Sequence, residues 1–247
     1  MKKVFLTLFI LFITFILANF VVTKIAFSNP NYNVTTDFDR AKDFMKDEEV
    51  MLIVDFSDSM NEYLGSKKKI DIAMENLAAI LPMISPEVKV GLRVYGHKSG
   101  LTYYHACKAS EMKVPPKKCS ATDISNSLYE LSPQGVTPIT YSLRKCIESD
   151  FGSFKGTKHI VLISDGKENC DESPCKFAIE LTQARNDVVI DVIALGIDDP
   201  EAIAQLKCAA LTTNGKFFKS DTAAELFNSL HNSFKAHKEV QGQIIMK

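Results

Sequence analysis

The sequence predicts an α/β fold with a doubly wound, mostly parallel central sheet and helices on both faces. Strand-length apolar runs alternate with helix-period patterns from residue 48 onward, which is the pattern of a parallel sheet with crossover helices. The central runs, EVMLIVDF and HIVLIS, are continuous rather than alternating, as strands buried on both faces must be. The 247 residues are enough for one such domain with a sizeable core.

The elements can be placed in order along the chain. After the first strand, EVMLIVDF, apolar residues recur at helical spacing and predict a helix near 70–81. A second strand, EVKVGLRVYG, precedes a loop-rich insertion at 97–120, where EMKV is expected to form one short antiparallel edge strand beside Pro115 and Pro116. The remaining predicted elements are helices near 121–131, 138–149, 173–186, 199–211 and 222–237 and strands at HIVLIS, VVIDVIALG and KFF.

The N-terminal segment is predicted to direct export of the chain. Lys2 and Lys3 precede an apolar run of about 19 residues, close to the length of a membrane-spanning helix, whereas Ala26-Phe27-Ser28 fits a signal-peptide cleavage site. Residues 1–28 are therefore interpreted as either a signal peptide or an N-terminal membrane anchor. In both cases the following residues lie on the outer side of the membrane. We expect a periplasmic or cell-surface protein, either secreted or anchored to the membrane through this segment if it is uncleaved.

The rest of the chain divides into a linker, one domain and a tail. Residues 29–47 are turn-rich at first and then charged, and they are interpreted as a linker. Residues 48–237 form the predicted domain, and residues 238–247 form a C-terminal tail.

The charge balance argues against one class of partner. The chain has 29 basic and 30 acidic residues, for a formal net charge of −1, and it has no long basic run. A nucleic-acid partner is not expected, because such proteins need a basic surface to neutralise phosphates.

Six cysteines in an exported chain predict disulfides, which persist in oxidising compartments. Six cysteines allow 15 pairings, and the sequence does not choose among them. Nearness in sequence favours Cys107 with Cys119 and Cys170 with Cys175, leaving Cys146 and Cys208 as a third pair or as two buried thiols. A cysteine zinc site is the alternative, but no C-x2-C pair with a second pair is present.

Short oxygen-bearing side chains stand at three strand ends or helix starts. Asp55, Ser57 and Ser59 follow the first strand, Thr137 precedes a helix, and Asp165 ends a later strand. Ligands of open α/β sheets collect at the carboxyl ends of the strands, where these side chains are expected to meet. Two carboxylates and three hydroxyls suit a hard divalent cation, Mg²⁺ above all, with Mn²⁺ or Ca²⁺ admissible.

Each of these segments also has an ordinary structural explanation. Ser57 or Ser59 could cap a helix, Thr137 followed by Pro138 is a good helix start, and Asp165-Gly166 is a common turn. The combination of all three segments, in this order, favours the metal site.

The motifs D-x-S-x-S, a threonine followed by proline, and S-D-G after an apolar strand together resemble the von Willebrand factor type A domain with its metal-ion-dependent adhesion site. The resemblance covers roughly residues 48–236, and RVYGH, SDGKENCDESPC and AQLKCAALTTNGKFF are similar to a bacterial exported branch of that family. The insertion at 97–120 is longer and more basic than the usual link.

The resemblance implies a Rossmann-like fold and a non-enzymatic, adhesive function. It identifies Asp55, Ser57, Ser59, Thr137 and Asp165 as the site of a bound Mg²⁺-type ion. In the family, one coordination position stays open for an Asp or Glu of a partner protein. The family's sliding C-terminal helix would correspond to residues 222–237.

Two other functions are compatible with a strand-ending aspartate. Asp55 could be the nucleophile of a metal-dependent phosphoryl-transfer hydrolase. Those enzymes have a second acidic residue two positions on, where this chain has Ser57, and no histidine lies beside the motif. The third possibility is a metal-free scaffold in an envelope assembly.

Overall fold

The computed structural model describes residues 48–243, with side chains described as far as residue 234. The predicted signal peptide or anchor (1–28), the predicted linker (29–47) and the last residues of the predicted tail (244–247) lie outside the described residues. No helix in the described part is long and apolar enough to cross a membrane.

A six-stranded sheet forms the centre of the domain. Its strand order is β5-β4-β1-β6-β7-β8, and every neighbouring pair is parallel except β4 with β5. A separate antiparallel hairpin is formed by β2 and β3. The strands are β1 (Glu48–Asp55), β2 (Tyr63–Leu64), β3 (Lys67–Lys68), β4 (Lys89–Tyr95), β5 (Ser110–Lys117), β6 (Thr157–Ser164), β7 (Val188–Leu195) and β8 (Phe217–Ser220).

Seven α-helices lie in the described part of the chain. They are α1 (Lys69–Ile80), α2 (Tyr103–Ala106), α3 (Ala121–Tyr129), α4 (Ile139–Lys145), α5 (Pro174–Ala184), α6 (Pro200–Thr212) and α7 (Ala223–Gln243). Short 3₁₀ turns cover Asp58–Asn61 and Leu81–Met83, and a π-helical turn, Cys146–Asp150, continues α4.

Strand β1 separates two hydrophobic cores. Val50, Leu52 and Val54 point to one face, where they pack with residues of α1, α3 and α7. Met51 and Ile53 point to the other face, towards α4, α5 and α6. Successive side chains of a strand alternate between faces, so a continuous apolar run fills both cores.

The observed topology confirms the predicted doubly wound fold. The sheet is mostly parallel, and β5 is the antiparallel edge strand; it extends from Ser110 to Lys117 and includes both prolines, which an edge position tolerates. The hairpin of β2 and β3 was not predicted, because each strand is only two residues long.

The cysteine pairing predicted from sequence nearness is wrong. Cys107 pairs with Cys170 and Cys175 pairs with Cys208, whereas Cys119 and Cys146 are free thiols. The first bond joins the insertion after β4 to the loop after β6, and the second joins α5 to α6. Folding brings these segments together although 63 and 33 residues separate the paired cysteines. Four of the six cysteines are in disulfides and are therefore not available as thiolate ligands for zinc.

Candidate metal centre

The candidate centre lies at the carboxyl end of β1, where the strand order reverses. The chain leaves β1 for β4 on one side and returns to β6 on the other side, which creates the crevice in which α/β proteins bind ligands. Asp55 ends β1 and is fully buried. Tyr95 and Ser164 end the two flanking strands beside it.

The Asp55 carboxylate accepts three hydrogen bonds. Oδ1 accepts from the backbone amide of Ser57 at 2.7 Å. Oδ2 accepts from the hydroxyls of Tyr95 at 2.9 Å and Ser164 at 2.8 Å. Because a carboxylate oxygen accepts about two such bonds, Oδ2 is saturated and Oδ1 retains one acceptor position for an ion or a water molecule.

A chain of short contacts connects the first segment to the third. The hydroxyl oxygens of Ser57 and Ser59 are 3.1 Å apart. The Ser59 hydroxyl donates to Asp165 Oδ1 at 2.7 Å. Asp55, Ser57, Ser59 and Asp165 therefore belong to one continuous polar cluster.

Thr137 reaches the same cluster from the second segment. Gly135 forms an isolated parallel bridge with Ser57, and its carbonyl accepts from the Asp58 amide at 2.9 Å, so the backbone before Thr137 lies beside the first segment. A methyl group placed on Gly166 would lie 3.6 Å from Ser59 Oγ and 3.8 Å from Thr137 Oγ1. The structure thus brings all five residues singled out from the sequence to one place.

Helix capping does not account for the hydroxyls of Ser57 and Thr137. Ser57 precedes the 3₁₀ turn but makes no side-chain capping bond. Helix α4 begins at Ile139, with Pro138 at its N-cap position. The carboxylate of Glu168 accepts from the Thr140 amide at 2.7 Å and supplies the missing N-terminal acceptor. A carboxylate from the third segment therefore caps this helix in place of Thr137.

Asn169, in the loop after β6, forms hydrogen bonds with two other loops. Its side-chain oxygen accepts from the Thr137 amide at 2.8 Å, and its carbonyl accepts from the Tyr103 hydroxyl of the insertion. The neighbouring Cys170 is bonded to Cys107, also in the insertion. These contacts hold the insertion against the loop that carries Asp165.

Burial disfavours the charged forms of both carboxylates. Burial and, to a smaller extent, the negative charge of Asp165 together raise the pKa of Asp55 to about 6, although hydrogen bonds from Ser57 and Ser164 oppose the change. Burial also raises the pKa of Asp165, although hydrogen bonds from Lys69 and Ser59 oppose the change. A divalent cation between the two carboxylates would stabilise their charged forms.

Lys69 is a member of the cluster that the sequence interpretation missed. Its ammonium group lies 2.9 Å from Asp165 Oδ2 and 2.9 Å from Glu62 Oε2. Burial lowers the pKa of Lys69, but its hydrogen bonds with Asp165 and Glu62 outweigh burial and the pKa is raised. The sequence spacing could have indicated its position. Lys69 lies four residues before the buried Ala73 and is therefore on the core side of α1.

Tyr95 and Ser164 were also missed as supports of Asp55. The signal was their position, since each is a polar residue at the end of a fully buried strand beside β1. Buried polar groups need partners, and the carboxylate of Asp55 is the partner of both hydroxyls.

The oxygen set fits a hard divalent cation. Hydroxyl and carboxylate oxygens are the ligands that Mg²⁺, Mn²⁺ and Ca²⁺ prefer, and water completes their shells. Within residues 48–243 no three His, Cys, Asp or Glu side chains cluster closely enough to hold a metal. A cation at this place would consequently depend on hydroxyl ligands, which the cluster supplies in Ser57, Ser59 and Thr137.

Comparisons with known proteins agree with this architecture. The chain is 28% identical over 186 residues to the uncharacterized protein YwmD of Bacillus subtilis, covering 72% of this chain and 81% of that protein. It is similar in structure to an aerotolerance-related membrane protein from Bacteroides fragilis, with a TM-score of 0.59, 16% identity, and coverage of 76% of this chain and 98% of the other.

A third similar structure is proximal thread matrix protein 1 from the mussel byssus, described with a zinc-occupied MIDAS motif. The TM-score is 0.60 and the identity 17%; the match covers 79% of this chain and 46% of the mussel protein, or about half its length. Residues 49–233 match the family described as the von Willebrand factor type A domain. The chain therefore belongs to the von Willebrand factor type A domain family.

Proposed function

We propose that the chain is an exported, divalent-cation-dependent protein-binding domain. A Mg²⁺-type ion is held by the oxygens of Asp55, Ser57, Ser59, Thr137 and Asp165, directly or through water. An Asp or Glu side chain of a partner protein completes the coordination shell, so the ion bridges the two proteins.

The observation that carries this proposal is the convergence of the five side chains. The Ser57 hydroxyl contacts that of Ser59, which donates to Asp165, and the Thr137 hydroxyl lies close to Gly166 beside Ser59. A separate residue, Glu168, caps the neighbouring helix. Two carboxylates only just balance a divalent charge, and Lys69 adds a positive charge beside them. An ion in such surroundings attracts a further carboxylate.

The environment of Asp55 favours binding over phosphoryl transfer. A nucleophilic carboxylate must present an oxygen to its substrate. Asp55 is fully buried, and Tyr95, Ser164 and the Ser57 amide already use three of its acceptor positions. This arrangement orients the carboxylate and does not expose it.

The surface of the insertion supports a protein as the ligand. Leu101 is 96% exposed, and the nearby Tyr103 and Tyr104 are more than half exposed. Aromatic side chains are enriched in protein interfaces. The Cys107–Cys170 disulfide fixes this apolar surface to the loop of Asp165, so a partner that contacts the ion can also contact the insertion.

Two disulfides support an oxidising location outside the cytoplasm. The N-terminal segment of the sequence, with its two lysines and apolar run, supplies the means of export. Periplasm and cell surface both satisfy these conditions.

Thermal unfolding of the full chain tests the proposal. We expect Mg²⁺, Mn²⁺ or Ca²⁺ to raise the melting temperature relative to EDTA, because a ligand that binds only the folded state stabilises it. Thr137→Val keeps the shape of the side chain but removes its oxygen, and it should abolish the shift. Thr140→Val, at a buried threonine one helical turn away, is the matched control and should retain the shift.

The partner carboxylate is tested with acetate as the simplest probe. Acetate should add a further shift when the cation is present and none in EDTA. The absence of a shift with all three cations would refute the proposal and favour the metal-free scaffold, whereas hydrolysis of a phosphate ester that Asp55→Asn abolishes would favour the enzyme.

A further inference from the structure

Lys69 places a fixed positive charge inside the candidate metal centre. Its ammonium nitrogen is 2.9 Å from Asp165 Oδ2, while Asp165 Oδ1 accepts from the Ser59 hydroxyl at 2.7 Å. The side chain of Lys69 is 8% exposed and that of Asp165 is 0% exposed. Solvent and salt screen a pair this well shielded much less than a surface pair.

Several contacts hold Lys69 in this place. The Lys69 amide donates to the Glu62 carbonyl at 2.9 Å, and the ammonium donates to Glu62 Oε2 at 2.9 Å. The aliphatic stem passes Gly196, where an added methyl group would lie 3.4 Å from Lys69 Cε. The backbone of Lys69 is therefore held by Glu62, and its side chain is held by two carboxylates and by packing against Gly196.

This position changes the charge that a divalent cation meets. Asp55 and Asp165 supply two negative charges, and the Lys69 ammonium, which also pairs with the exposed Glu62 carboxylate, offsets part of that charge at Asp165. It also occupies Asp165 Oδ2, so a cation must share that carboxylate with the ammonium. Affinity for hard cations rises with the number of charged ligands, and a neighbouring positive charge opposes binding.

We propose that Lys69 is a resident counter-ion that stabilises the ion-free centre by neutralising Asp165 and thereby weakens the binding of a divalent cation. This inference rests on the proposed function. The two effects have the same cause. The positive charge of Lys69 stabilises Asp165 when no cation is bound, and the same charge repels a cation that binds beside Asp165. The bound ion remains short of negative charge, which favours the partner carboxylate.

The experiment measures Mn²⁺ affinity of the full chain by calorimetry, together with melting temperature in EDTA. Lys69→Met and Lys69→Gln remove the charge; the glutamine can still donate to Asp165 and preserves folding if the methionine does not. Lys69→Arg keeps the charge. Lys67→Met is the matched control, since it removes an equal charge from an exposed lysine that pairs with Glu75.

We expect the two neutral variants to bind Mn²⁺ at least roughly tenfold more tightly than the wild type and to melt at a lower temperature in EDTA. Lys69→Arg and Lys67→Met should bind Mn²⁺ as the wild type does. If the wild type binds Mn²⁺ but the neutral variants bind no more tightly, the inference is wrong and the proposed function stands. If only the neutral variants bind, Lys69 replaces the ion and the proposed function is wrong. If none binds, both are wrong.

Discussion

The hydroxyl of Tyr95 donates a hydrogen bond to Asp55 across the boundary between β4 and β1, at 2.9 Å. Both residues are fully buried, and they are direct neighbours in the parallel register of the two strands. The last residue of β4 thus helps to orient the carboxylate at the end of β1.

Tyr95→Phe removes one of the three donors to Asp55. We expect the free energy of unfolding in EDTA to fall by about 1–3 kcal/mol, because a buried carboxylate loses one of its three hydrogen bonds. Urea denaturation measures the change. Tyr129→Phe, at an exposed tyrosine, is the control and should be neutral; an equal effect in both variants would contradict the role given to Tyr95.

Substitution of glycine by alanine should change stability at one position near the centre, Gly135, and leave it unchanged at another, Gly166. In Gly135→Ala the new methyl group would lie 2.5 Å from the Lys98 carbonyl and 3.0 Å from the Gly96 carbonyl. Because these contacts are too short, the backbone must move, and we expect the free energy of unfolding to fall by about 1–3 kcal/mol. In Gly166→Ala the methyl group meets only ordinary contacts at 3.6 Å or more.

Gly166→Ala should consequently keep its stability in EDTA and lose cation binding, because the added methyl group would lie 3.6 Å from the Ser59 hydroxyl and 3.8 Å from the Thr137 hydroxyl and would crowd an ion bound by both. Calorimetric titration with Mn²⁺ and denaturation in EDTA separate the two properties. Undiminished Mn²⁺ binding by Gly166→Ala would show that the ion lies elsewhere.

The two disulfides should differ in their effect on the centre. The loop-closure entropy of a 63- or 33-residue separation corresponds to about 4 kcal/mol, and engineered removal usually costs about 2–5 kcal/mol. We expect both double variants, Cys107→Ser/Cys170→Ser and Cys175→Ser/Cys208→Ser, to lose stability within that range. Only the first should also reduce the cation-induced shift in melting temperature, because only that bond holds the Asp165 loop. Equal reductions would argue against a positioning role.

The raised pKa of a buried histidine, His159, should make the stability of the fold depend on pH. His159 lies between Glu48, at 3.1 Å, and Asp191, at 3.3 Å, and Ser233 of α7 donates to the same Asp191 oxygen at 2.6 Å. Burial lowers the pKa of His159, but hydrogen bonds with Asp191 and Glu48 outweigh burial and raise it to about 9. The folded state therefore holds a proton that the unfolded state releases near pH 6.5.

The stabilisation is complete below pH 6.5 and is lost as the pH rises towards 9. We expect the free energy of unfolding to fall by up to about 2 kcal/mol between pH 6.5 and 8. Urea denaturation across this range measures it, and His159→Gln should flatten the profile while His105→Gln, at an exposed histidine, should not. A profile that is equally steep in His159→Gln would refute the assignment.

Much of the fold was predictable because its signals are local. The apolar run before Asp55 has the length and continuity of a strand buried on both faces, and the structure places it at the centre of the sheet. The five candidate ligands could be chosen because the ends of parallel strands share one edge of a sheet. Their convergence follows from topology that the alternation of elements already implies, whereas their role as ligands remains a prediction.

Hydrophobic periodicity and short motifs can be recognised along the chain, and they were enough to indicate the family, the doubly wound sheet and the edge at which the oxygens meet. The folded chain was needed to show which cysteines pair, that Lys69 forms an ion pair with Asp165, and that Tyr95 and Ser164 donate hydrogen bonds to Asp55. These are distances between side chains 33 to 109 residues apart. Such distances depend on how strands and helices pack, and no local pattern specifies them.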